Sequence, residues 1–165
     1  MAQITLKGNP INTIGELPKI GETAKEFTLV ASDLTEKKLS DFKGTKVILN
    51  IFPSIDTGIC AASARKFNEE ASALENTVVL NISKDLPFAL TRFCAAEGLE
   101  KVINLSDFRG NFADDYQLKI ADGPLKGLAS RAVIILDENG SIIYTEQVPE
   151  IAQEPNYEAA LKVVR

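Results

Sequence analysis

An α/β fold is predicted: a central mixed β-sheet flanked by helices and preceded by an N-terminal β-hairpin. Three observations carry it. Lys46 to Phe52 and Thr77 to Ile82 are near-continuous apolar runs, the pattern of strands covered on both faces. Between them, Cys60, Ala64, Phe67, Ala71 and Leu74 recur at three- and four-residue spacing, which places them on one face of a helix. Strand, helix and strand of these lengths make a βαβ unit with parallel strands and a right-handed crossover.

In chain order, Gln3 to Ile14 reads as the hairpin, because Ile4, Leu6 and Ile11 alternate with polar residues around the turn signal Gly8-Asn9-Pro10. Gly15 to Lys25, carrying Pro18 and Gly21, reads as an irregular connection. Phe27 to Val30 is a short strand, and Leu34 to Gly44 is a loop holding one helical turn. The first central helix is expected over Ala61 to Glu75. A second starts near Asp85, tolerates Pro87 in its first turn and runs to about Glu97 before Gly98. Val102 to Leu105 is a short strand or a loop. Arg131 to Leu136 is a third buried strand, and Asp137-Glu138-Asn139-Gly140 turns it into an antiparallel partner at Ser141 to Tyr144. Pro155 to Val164 closes the chain as an amphipathic helix. The central order β-α-β-α-β-β-α is that of a thioredoxin-like fold. With no internal repeat or long linker, residues 1–165 read as one domain whose first 15 residues are the hairpin.

Composition narrows the function. The chain has 165 residues, 45% hydrophobic and 25% charged, enough for a full core without metal or disulfide staples. A net charge of −5 and a pI near 4.9, with Lys and Arg scattered, argue against nucleic acid or an anionic membrane as partner. The first residues lack a basic region followed by a long apolar run, so no signal peptide is read, and a cytoplasmic rather than periplasmic location is expected. Histidine is absent. That excludes a Ser-His-Asp triad, a Cys-His dyad, a His-bearing zinc site and an imidazole base. The two cysteines, Cys60 and Cys94, form neither a Cys-x-x-Cys motif nor a zinc knuckle. No cofactor is expected.

Cys60 stands where the first central strand passes into its helix, at the carboxyl end of a strand, where open α/β sheets place their sites. A thiol there feels the partial positive charge of unpaired backbone N–H groups, which favours the thiolate. The competing reading is a small buried hydrophobe on the apolar face of the helix. Thr57 also has two readings. It can cap the helix by accepting from the Cys60 N–H, or direct its hydroxyl at the Cys60 sulfur and a substrate oxygen.

The segment PSIDTGIC carries the Pro-x-x-x-Thr-x-x-Cys pattern of peroxiredoxins. The longer blocks LNIFPSIDTGICAASARKFN, NISKDLPFALTRFC and ADGPLKGLASRAV follow in order. With them the chain closely resembles the bacterial thiol peroxidases, the atypical two-cysteine branch of the peroxiredoxins. The resemblance runs from the GNP hairpin to EPNYEAAL near the C-terminus. It implies that Cys60 is the peroxidatic cysteine and Cys94 the resolving one, the two forming an intramolecular disulfide. It further implies that Thr57 hydrogen-bonds the thiolate and the peroxide, that Pro53 shields the thiolate from water and that Arg131 completes the pocket. From the residues alone, Arg131 opens a central strand and so can lie near the helix start, but Arg65, Arg92 and Arg109 are rivals.

The expected function is thiol-specific reduction of hydrogen peroxide and organic hydroperoxides to water and alcohols, in antioxidant defence. The resemblance implies thioredoxin as the reductant and a homodimer as the assembly. Two other readings compete. A disulfide oxidoreductase shares the fold, but here Cys-x-x-Cys is lacking, as is a proline just before the Arg131 strand. A peroxide sensor would pass its oxidation to a partner protein by the same thiol chemistry.

Overall fold

The computed structural model describes residues 2–98 and 101–165. Nine strands and four helices are formed among them, with one 3-10 turn. The hairpin is β1 (Gln3–Leu6) against β2 (Asn9–Asn12). Its turn lies one residue earlier than the sequence signal suggests. Lys7 and Gly8 occupy it with φ of 51° and 83°, and Asn9 and Pro10 already belong to β2. Positive φ at both central residues gives the twist that a two-residue hairpin needs, and glycine takes the second position without strain.

The main sheet has seven strands in the order β4-β3-β7-β6-β5-β8-β9. They are β3 (Thr28–Ala31), β4 (Glu36–Lys38), β5 (Lys46–Ile51), β6 (Thr77–Ser83), β7 (Ile103–Ser106), β8 (Ala132–Leu136) and β9 (Ile142–Gln147). β5, β6 and β7 run parallel, and β3, β8 and β9 are antiparallel to their neighbours. The helices are α1 (Gly58–Ala71), α2 (Pro87–Glu97), α3 (Phe112–Asp115) and α4 (Tyr157–Lys162).

Several boundaries differ from expectation. α1 begins three residues earlier than predicted and ends earlier, so Cys60 lies inside its first turn. The Leu34–Gly44 loop contains β4 as well as the 3-10 turn Leu39–Phe42. Its charged sequence hides a strand because β4 is an edge, where lysines are favoured. Val102 to Leu105 resolves as β7, and α3 has no counterpart in the sequence reading because one turn is too short to show a period. α2 ends as expected, with Gly98 in the left-handed conformation at φ 67°.

β5 alternates between two cores. Val47, Leu49 and Ile51 face a cluster with Phe27, Leu80 and Phe112, whereas Ile48 and Phe52 face one with Cys60, Phe67 and Leu161. Both faces are therefore covered, as the unbroken apolar run implied. No helix among the described residues is long and apolar enough to cross a membrane.

The hairpin is docked on the domain rather than trailing from it. Thr5 N–H donates to Pro149 O at 2.8 Å, and Ile151 N–H donates to Thr5 O at 2.9 Å. Glu150 locks the turn: its Oε1 accepts from Gly8 N–H at 2.8 Å and from the Thr5 hydroxyl at 3.0 Å, and its Oε2 accepts from Ala152 N–H at 2.8 Å. These donors, the Ala152 and Gly8 amides foremost, hold its carboxyl down at about 2, against a usual value of 4.5. A depressed carboxylate stabilises the fold above its unfolded value and loses that contribution as pH falls through the folded one. The clamp is thus expected to be intact above pH 4.5 and to release toward pH 2. In an NMR titration the Gly8 amide should move with the low midpoint, and not at all in Glu150→Gln. Movement centred at the ordinary glutamate value would show that the clamp does not form.

Candidate active site

The antiparallel pairing of β5 and β8 assembles the site. Because Ile51 pairs with Ala132, the end of β5 meets the beginning of β8. The loop Pro53 to Thr57 and the residue Arg131 are thereby brought together, although they are far apart in sequence. Leu6, Lys7, Asn9 and Ile11 of the hairpin, with Pro124, Leu125, Leu128 and Ile151, complete an open groove of roughly 640 Å³. Pro53, Thr57, Gly58 and Arg131 line it as well.

Cys60 is the third residue of α1 and has no exposed surface. It lies in the apolar cluster behind the groove rather than in the groove wall. Thr57 is the N-cap residue, but it does not cap through its side chain. Its hydroxyl donates instead to Ser54 O at 3.0 Å, beside its own N–H at 3.2 Å to the same atom. The capping position expected for Thr57 is therefore right, but the hydroxyl does not accept from Cys60 N–H. The tight turn Ser54 to Thr57 is the reason, because it supplies the Ser54 carbonyl as an acceptor. The lone pairs of Thr57 Oγ1 remain available to an O–H in the groove. No carboxylate occupies the first turn of α1 to compete for its N–H groups.

Arg131 is 2% exposed, although it is a permanent cation. Its Nε donates to Ile151 O at 2.8 Å, while Nη1 is buried without a hydrogen-bond partner among the described residues. A buried guanidinium with an unused donor is costly unless an anion or an oxygen ligand engages it. The rivals are surface groups with partners of their own. Arg65 pairs with Glu97 at 3.4 Å, Arg92 with Asp56 at 3.3 Å and Arg109 with Glu36 at 3.6 Å. Tyr157 of α4 also sits close, packing edge-on against Phe67 at 5.4 Å. Burial and the adjacent Glu154 push its phenol well above the usual range, with Arg131 and Cys60 acting on it in opposite senses.

Sequence reasoning gave Asp85 no role beyond a helix start. Its carboxylate accepts from Ser54 Oγ and Ile55 N–H, both at 2.7 Å, and from Ser83 Oγ at 2.6 Å. It ties the loop before Cys60 to the loop before α2. The available signal was its place just after a buried strand parallel to β5, which puts it at the same end of the sheet.

Cys94 lies in the last turn of α2, half-buried, and both thiols are free. Burial pushes the Cys94 thiol above its usual value, and a hydrogen bond donated by Asn104 Nδ2 to its sulfur works the other way. Its surroundings belong to a second opening, of roughly 430 Å³, with Ala31, Thr91, Val102 and Asn104 in the walls.

Comparisons with known proteins give the family. The redoxin family profile matches residues 19–161. The thiol peroxidase of Mycobacterium tuberculosis is 56% identical over 161 residues, covering 98% of this chain and 97% of that protein. The thiol peroxidase of Corynebacterium glutamicum is 55% identical, covering 98% of each. Among solved structures, a peroxiredoxin-like protein from Aquifex aeolicus superposes with a TM-score of 0.94 at 38% identity, over 99% of this chain and 96% of that one. A family profile matching residues 19–161 and near-complete alignment to thiol peroxidases lead to one assignment. The chain belongs to the redoxin family, among its thiol peroxidases, and is a peroxide-reducing enzyme of the peroxiredoxin type.

Proposed function

We propose that Cys60 is the peroxidatic cysteine and that Arg131 stabilises the charge that moves as the O–O bond breaks. The observation that carries this is the buried Arg131 guanidinium, with Nη1 unpartnered among the described residues, in the groove that the start of α1 also lines. The Cys60 thiolate attacks the terminal peroxide oxygen. An S–O bond forms, the O–O bond breaks, and the leaving oxygen takes a proton to depart as water or an alcohol. Negative charge passes from sulfur to the leaving oxygen, so donors fixed at that point favour the transition state over the ground state. Thr57 accepts from the peroxide O–H, and Pro53 keeps water from the sulfur.

The product is a sulfenic acid on Cys60. Cys94 then condenses with it to an intramolecular disulfide, and thioredoxin reduces that bond. A disulfide needs Cα atoms within about 7 Å. Cys60 starts in the first turn of α1 and Cys94 in the last turn of α2, so local unwinding accompanies the step. For α2 this unwinding comes from its C-terminal end, not from its start. Cα separations that match in reduced and oxidised crystal structures would overturn the unwinding. The same proposal includes a homodimer, for which exposed Leu86, Phe88 and Phe108 near the β6 and β7 ends offer apolar surface. It places the cycle in the cytoplasm, a reducing compartment.

The test is peroxide consumption coupled to thioredoxin, thioredoxin reductase and NADPH, with mass spectrometry of the oxidised chain. Wild type should cycle and carry a Cys60–Cys94 disulfide. Cys94→Ser should consume a single equivalent of peroxide and then stop. Unimpaired thioredoxin-linked cycling in Cys94→Ser would remove Cys94 as the resolving residue.

A further inference from the structure

Three asparagines stand in buried strands where apolar residues would otherwise be expected. Asn50 of β5 pairs in register with Asn81 of β6, and Asn81 with Asn104 of β7. Their exposures are 1%, 0% and 9%. All three alternate with residues of the Phe27 and Leu80 cluster, so they lie on the opposite face, the one that carries α1 and α2. Their side chains are linked across the sheet. Asn50 Nδ2 donates to Asn81 Oδ1 at 2.9 Å, Asn81 Nδ2 to Asn104 Oδ1 at 3.1 Å, and Asn104 Nδ2 to the Cys94 sulfur. At the other end, Asn50 Nδ2 also reaches Ser63 Oγ at 3.4 Å, and Ser63 donates to the Cys60 carbonyl at 2.9 Å.

The chain of amides has one sense. Each donates to the next, and the last donates to sulfur. Aligned amide dipoles polarise one another, so the terminal N–H is a stronger donor than an isolated one. Cys94 needs such a donor more than Cys60 does. It lies at the C-terminal end of its helix, where the backbone dipole opposes an anion, and its own carbonyl is taken by Gly98 N–H. Among the described residues, none that lines the opening beside it is charged, and the charges of α2 are engaged elsewhere, Arg92 with Asp56 and Glu97 with Arg65. Burying three amides in strands is costly unless each is satisfied, and here the last link is spent on a thiol.

We propose that Asn50, Asn81 and Asn104 form an amide relay that generates and orients the Cys94 thiolate, with Asn104 as a catalytic residue of disulfide formation and Asn81 and Asn50 as positioning residues. The proposal rests on the resolving role of Cys94 given above. In the step it serves, the Cys94 sulfur, its proton lost, attacks the Cys60 sulfenic sulfur. The S–S bond forms, the S–O bond breaks, and hydroxide leaves and is protonated to water. Cys94 is oxidised and the Cys60 sulfur is reduced.

The test uses full-length Cys60→Ser, in which Cys94 is the remaining thiol, and follows its alkylation by iodoacetamide against pH. Adding Asn104→Val should raise the midpoint by about one to two pH units, the scale of one hydrogen bond to a charged group. Asn104→Thr has the same shape but keeps a donor, and should recover at least half of that shift. Asn81→Val leaves the contact to sulfur in place and should raise the midpoint by a smaller amount. With Cys60 restored, Asn104→Val should slow disulfide formation at neutral pH by about three- to tenfold, because a less acidic thiol is a better nucleophile and offsets part of the loss. Should Asn104→Val fail to fold, as read by circular dichroism, Asn104→Ala carries the same comparison with threonine. Equal midpoints for the valine and threonine variants would overturn the donor role, and an unshifted Asn81→Val would overturn the relay. Absence of a Cys60–Cys94 disulfide in oxidised wild type would instead remove the resolving role, and the alkylation midpoints would remain readable.

Discussion

Cys60→Ser is expected to lower peroxide consumption by on the order of 10³-fold or more, the scale on which enzymes lose rate when their nucleophile is removed. The thiolate is the attacking form, and a serine hydroxyl does not ionise at neutral pH. The position is demanding in a second way. Cys60 has no exposed surface and lies in the cluster with Phe52, Ile55 and Phe67. A hydroxyl there costs about 1–3 kcal/mol if it finds no partner, so the variant should also melt earlier. Cys60→Ala separates the two effects, because it introduces no polar group. Initial rates with dithiothreitol as reductant measure the chemistry without depending on thioredoxin. Turnover near the wild-type rate in either variant would take Cys60 out of the reaction.

Arg131→Leu should slow oxidation of Cys60 by about 10²–10³-fold, comparable to the loss of one fixed donor at a site of developing charge. Its effect on stability should be far smaller. The guanidinium is buried, with one hydrogen bond to Ile151 O and Nη1 unpartnered among the described residues. Losing that bond costs about 1 kcal/mol, and replacing a buried cation by an apolar side chain works in the other direction. A melting temperature close to wild type beside a large drop in rate is therefore the expected signature. Arg131→Lys keeps the charge but loses the planar fork and should fall between the two. Stopped-flow measurement of Cys60 oxidation reads all three. A wild-type rate in Arg131→Leu would return the question to the other arginines, all of them at the surface with carboxylate partners.

Much of the architecture was legible because it rests on local rules. The strands of the βαβ unit appeared as apolar runs because both their faces are covered. α2 was bounded by Pro87 and Gly98, residues whose backbone preferences act wherever they stand. α1 was drawn too late at its start because Gly58 and Ile59 carry no helix signal of their own, although the capping position of Thr57 already set its beginning at Gly58. β4 and α3 were missed because three or four residues cannot display a period. At the site, the octapeptide ending in Cys60 was visible as a cysteine at a helix start. Asp85, which holds that octapeptide to the neighbouring loop, was not, because its partners Ser54 and Ile55 are about thirty positions away.

The order of elements, the exclusion of histidine chemistry and the placing of a thiol near the start of a helix follow from the residues, since each depends on composition or on neighbours within a few positions. The choice among four arginines depends on which one the fold buries, and that is set by the antiparallel register of β8 against β5. The hairpin reads as an appendage in the sequence, yet it supplies one wall of the groove once Glu150 clamps it down. The asparagines at 50, 81 and 104 read as interruptions of apolar runs. Register between three parallel strands turns them into one hydrogen-bonded line ending on Cys94. Burial and register are long-range properties, fixed when distant segments pack together, and no local pattern of residue types encodes them.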